Sequence, residues 1–101
     1  MRDTMKLKTH LLVNDMIIPL NDFTQQYIGN VMIGIVASLG SNSKKIKFSL
    51  IKDELKIFAG DQEVPVKKEF VHEIVTSTLK GMVSPLKGIG LFENISITIS
   101  E

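Results

Sequence analysis

The sequence predicts an α+β domain, a two-layer sandwich in which two helices cover one face of an antiparallel or mixed sheet. Three observations carry this prediction. Two stretches space their apolar residues at the 3.6-residue period of a helix, several shorter ones alternate apolar and polar residues as strands do, and the order of these stretches occurs twice along 101 residues. The main elements run strand, helix, strand, strand, helix, strand. That is the split βαβ order of a ferredoxin-like βαββαβ sandwich, with residues 16–20 and 63–66 as extra short edge strands. The alternative is a pseudo-twofold duplication of a β-β-α-β unit with a different strand order, and sequence patterning leaves strand order open.

Residues 6–13 alternate, with Leu7, Thr9, Leu11 and Val13 on one face and Lys6, Lys8 and His10 on the other, the pattern of a half-buried strand. Asn14-Asp15 reads as a two-residue turn into a short return strand, placed at an edge by Pro19, which has no amide hydrogen for a ladder. Asp22 followed by Gln25 resembles a capping box and opens a helix that Gly40 ends. Its apolar residues, Phe23, Tyr27, Ile28, Val31, Met32, Ile35, Val36 and Leu39, predict one broad buried face.

Alternation returns with Ile46, Phe48 and Leu50, turns at Lys52-Asp53-Glu54 into Leu55, Ile57 and Ala59, and turns again at Gly60-Asp61. A second helix is expected to bury Phe70, Val71, Ile74, Val75, Leu79, Met82 and Val83 and to stop before Pro85. Ile95, Ile97 and Ile99 form the last strand. Between them, Lys87-Gly88-Ile89-Gly90-Leu91-Phe92 has the glycines of a phosphate loop but follows a helix instead of preceding one. It is expected to turn the chain and close over the end of the core.

Shifting the chain on itself by about 46 residues lays Asn14-Asp15 on Gly60-Asp61 and Pro19 on Pro65. One added residue aligns Phe23 with Phe70 and Gly34 with Gly81, and most buried helix positions then match in kind. The expectation is a single domain over 1–101 with pseudo-repeat halves near 5–51 and 53–101. Gly34 and Gly81 fall at the borders of their apolar faces, where small side chains would let the helices approach each other or admit a loop.

Composition narrows the function. Apolar residues make up 44% of the chain and charged residues 23%, as in an ordinary globular domain. A net charge of +1 creates no long-range field that selects nucleic acid or anionic lipid. The absence of cysteine removes disulfides, thiolate nucleophiles and thiolate metal sites, and the polar N-terminus reads as neither signal peptide nor membrane anchor, so a cytoplasmic protein is expected. His10 and His72 have no carboxylate or second histidine at ligand spacing, and no Ser/His/acid set or paired-carboxylate motif occurs. No catalytic residue, metal or cofactor is therefore expected.

The sheet face opposite the helices is the candidate site. It carries Lys8, His10, Leu12, Lys47, Ile51, Lys56 and Phe58. Leu12, Ile51 and Phe58 suggest an apolar patch for a second subunit or a protein partner. Lysines beside an aromatic suggest, as the alternative, a nucleic-acid strand or anionic ligand held by charge and stacking. The plain reading is a solvated face whose lysines discourage edge pairing. The function expected from sequence is a noncatalytic module that self-associates or docks on a protein partner through this face.

Overall fold

The computed structural model describes residues 7–43, 45–86 and 94–100. In chain order they form β1 (Lys8–Val13), β2 (Met16–Ile18), α1 (Asp22–Ser38), β3 (Ile46–Ile51), β4 (Glu54–Ala59), β5 (Gln62–Val64), α2 (Glu69–Val83) and β6 (Asn94–Ser100). The expectations for residues 1–6, including the polar start of the chain, and for the glycine-bearing segment 87–92 lie outside the described residues.

Three tight reversals fold the strands onto one another. Asn14 and Asp15 sit at φ 51° and 67°, and Lys52 and Asp53 at 49° and 68°. A left-handed pair of this kind makes a type I′ turn, whose twist matches the strands it joins. Gly60, at φ 63°, opens the third reversal. The six strands form one sheet in the order β2-β1-β6-β3-β4-β5, with every neighbouring pair antiparallel.

Among the long strands this order is β1-β6-β3-β4, which puts the last and second of them at the centre, whereas a ferredoxin-like sheet has its first and third strands there. Exchanging β1 with β4, β2 with β5 and β3 with β6 returns the same order. The registers obey the same exchange. Leu11 lies between Ile18 and Ile97, its counterpart Ile57 lies between Val64 and Phe48, and Phe48 and Ile97 face each other at the centre.

One face of the sheet supplies the buried strand residues: Leu11 and Val13, Ile95, Ile97 and Ile99, Ile46, Phe48 and Leu50, and Leu55 and Ile57. They share a single core with Ile28, Met32 and Val36 of α1 and Val75, Leu79 and Val83 of α2. Each helix thus presents one line of side chains four residues apart, the spacing that repeats on one helix face.

The lines one residue earlier, about 100° round each axis, point elsewhere. Phe23 and Tyr27 of α1 and Phe70 and Ile74 of α2 are exposed, not buried as their periodicity predicts. Apolar spacing marks which side of a helix avoids charge, but the core accepts only the width that one sheet can cover.

The helix ends have their own chemistry. The cap of α1 is Asn21 and not Asp22: its side-chain oxygen accepts from the Thr24 amide at 2.8 Å. At the other end Gly40, at φ 92°, donates to Ala37 and Ser41 donates to Val36, which is a Schellman closure. Gln25 and Gln26 are free of capping duty and reach β1. Gln26 accepts from the Leu7 amide and donates to the Leu7 carbonyl, while Gln25 accepts from the Thr9 amide. Those backbone groups lie beyond the three residues of β2, where the ladder has no strand to continue it.

Gly34 and Gly81 do not mediate a close approach. A Cβ at either position would meet, among the described residues, no atom of another element within 4 Å. The tight glycine is Gly29, pressed against Leu7 and Thr9.

Candidate interaction surfaces

The alternation of β1, β3, β4 and β6 puts every sequence-predicted site residue on the sheet face away from the helices, and register fixes which of them meet. One row across the sheet reads His10, Thr98, Lys47, Phe58, Glu63. The next reads Leu12, Ser96, Ser49, Lys56, with Ile17 beside Leu12 at the β2 edge. Lys8 pairs with Ser100 at one end, and Ile51 pairs with Asn94 and Glu54 at the other.

Lys47 and Phe58 are therefore direct neighbours, and they help to line a shallow depression of about 340 Å³ with Lys45, Thr98 and Asp61. Leu12 and Phe58 are not neighbours. Two strands lie between theirs, a separation of about 14 Å at ordinary strand spacing. Ile51, in a third row, touches neither row's apolar residue by pairing. These three apolar residues are thus separated from one another by Ser49, Ser96 and Thr98, and only Leu12 has an apolar neighbour on this face, Ile17. The charge of this face is mixed as well: Lys56 stands 3.9 Å from Glu54, and Glu63 pairs with Phe58.

A more continuous apolar surface lies on the helix side. Phe23 and Tyr27, one turn apart on α1, stack with ring centroids 6.0 Å apart and planes inclined by 12°. Their line continues through Val31 and Ile35 into a groove between the helices, of about 490 Å³, whose opposite wall includes Val71 and Ile74 of α2. Gly34 leaves that groove open, and Leu39 also lines it.

Among the described residues no ionised side chain lines the groove, and the 17 residues of α1 include one ionised group, Asp22, in the first turn. A solvent-facing helix is ordinarily studded with charge. The sequence carried a usable signal for this surface. Two adjacent apolar lines with almost no charge on the remaining face are more than a helix lying on one sheet can bury.

Two polar side chains of α2 have structural partners. His72 Nε2 lies 3.0 Å from the Asp53 carbonyl oxygen, and Lys80 meets the Asp53 carboxylate at 3.3 Å, so both side chains tie α2 to the β3–β4 turn. Among the described residues no group of three His, Asp or Glu side chains is placed to hold a metal ion, and no helix is long and apolar enough to cross a membrane. The chain matches no protein-family model, no curated protein and no solved structure.

Proposed function

We propose that this chain is a noncatalytic docking module that recognises a protein surface, its own copies included, through the helix side of a two-layer fold. The observation that carries this reading is the uncharged groove between α1 and α2, flanked by exposed Phe23, Tyr27, Phe70 and Ile74. Exposed apolar groups in one contiguous patch lower their free energy when a second surface excludes water from them, whereas apolar residues scattered singly do not require a partner. For that reason the helix side is preferred to the sheet face, on which Leu12, Ile51 and Phe58 stand apart.

The fold behind this reading is a duplicated β-β-α-β unit, supported by the exchange symmetry of strand order and register and by a shortest molecular dimension of 20 Å, enough for one sheet and one layer of helices. The test compares Phe23→Glu with Phe58→Glu. Replacement of Phe23 is expected to abolish self-association in sedimentation, or recovery of a bound protein, and replacement of Phe58 to change neither. Equal behaviour of the two variants in both measurements counts against the reading. Retention of short RNA or DNA at low salt that is lost in a Lys47→Ala, Lys56→Ala variant would assign the function to the lysine-bearing sheet face instead.

A further inference from the structure

The docking reading leaves the occupant of the helix side unnamed, and the inference here rests on that reading. We infer that the occupant is a second copy of this chain, with the Phe23–Tyr27 ridge of each copy seated in the groove between α1 and α2 of the other.

Area, charge and shape support this occupant. Phe23 is 74% exposed, Tyr27 52%, Phe70 71% and Ile74 49%. At about 150–250 Å² per aromatic side chain and a little less for isoleucine, the exposed fractions of these three aromatics and Ile74 offer on the order of 500 Å² per chain. Two copies then bury about 1,000 Å² before the groove walls are counted, which reaches the size a specific interface requires.

Charge selects the same partner. A nucleic acid or an anionic lipid surface would find no cation among the groove residues. A second uncharged helix face brings neither like-charge repulsion nor an unpaired ion to be desolvated.

Shape completes the argument. Phe23 and Tyr27 align with Phe70 and Ile74 when the two halves of the sequence are superposed, and the groove lies between the helices that carry them, so the surface presents two matching apolar ridges with a trough between them. Such a surface is complementary to itself across a twofold axis, where every contact is made twice. Gly34 gives the trough its depth: with no described atom of another element within 4 Å of its Cβ position, an incoming ring has room to enter.

The experiment is sedimentation velocity of the full chain over a wide concentration range, with Gly34→Leu and Phe23→Glu beside it. The unaltered chain is expected to pass from monomer to dimer as concentration rises. Gly34→Leu fills the trough from an open helical position, so it is expected to weaken the dimer at least tenfold while its thermal midpoint, read at a concentration where the chain is monomeric, does not fall. Phe23→Glu is expected to weaken the dimer by a similar or larger factor. A chain that stays monomeric at every concentration overturns the second-copy inference. If Phe23→Glu then loses a protein that the unaltered chain recovers, the docking reading survives with a different partner. A dimer indifferent to both variants but broken by Phe58→Glu or Ile17→Glu overturns both, because assembly then uses the sheet.

Discussion

Gly29 and Gly34 stand on the same helix five residues apart, and their surroundings give them opposite sensitivities. A Cβ on Gly29 would lie 2.8 Å from Leu7 Cδ1, 3.2 Å from Thr9 Oγ1 and 3.3 Å from Leu7 Cβ. The neighbours have little freedom to yield, because Gln25 and Gln26 hold the backbone of Leu7 and Thr9 by hydrogen bonds. Gly29→Ala is therefore expected to destabilise the fold by about 1–3 kcal/mol through overpacking, although alanine is the better helix former. At Gly34 only the helix-propensity gain remains, and Gly34→Ala is expected to add about 1 kcal/mol. Urea midpoints of the two variants, measured at a concentration where the chain is monomeric, check both signs. The sequence placed Gly34 at the edge of an apolar face and so suggested a close approach there. Spacing along one helix says which side a glycine occupies but not what stands opposite it, and for that reason the true contact at Gly29 was not legible.

At the scale of elements, strands were more legible than helices because their signals are short-ranged. A two-residue alternation names both faces of a strand at once, and the turns at Asn14-Asp15, Lys52-Asp53 and Gly60-Asp61 bound the strands. Helix faces are wider and their limits are set by what they pack against, so Phe23, Tyr27, Phe70 and Ile74 were assigned to the core when they belong to the candidate interface. Alternation puts Lys8, His10, Leu12, Lys47, Ile51, Lys56 and Phe58 on one sheet face. Its residues do not form one patch, since the pairing register that separates Leu12 from Phe58 is absent from the sequence pattern.

The helix starts show a further contrast between the elements. α1 begins at Asn21 with a side-chain cap, whereas Lys68 precedes α2 with extended backbone and no side-chain cap hydrogen bond. A lysine there supplies no acceptor to the first-turn amides and places positive charge at the positive end of the helix dipole. Lys68→Asp corrects both faults and is expected to stabilise the chain by about 1 kcal/mol, read as a higher midpoint in thermal or urea unfolding. An unchanged or lower midpoint would show that Lys68 has a compensating role.

For the whole molecule the decisive element is β6. It enters the sheet last in chain order, yet it lies between β1 and β3 and so joins the two halves. Without it, the β1–β2 hairpin and the β3–β4–β5 meander share no strand pairing. Cooperative unfolding thus depends on a connection of high sequence separation, with Leu11 and Phe48 on either side of Ile97 and all three fully buried. Ile97→Ala is expected to cost about 2–5 kcal/mol, the range for truncating a buried isoleucine. Val64, on edge strand β5, has a strand neighbour on one side only, so Val64→Ala is expected to cost less, despite its burial. Urea unfolding followed by circular dichroism and by the amide signals of each half provides the check. If β6 is the joint, Ile97→Ala separates the two transitions or lowers them together by the larger amount, and Val64→Ala leaves a single transition. Two halves that still unfold as one unit in Ile97→Ala with only the smaller loss would place the coupling in the helices.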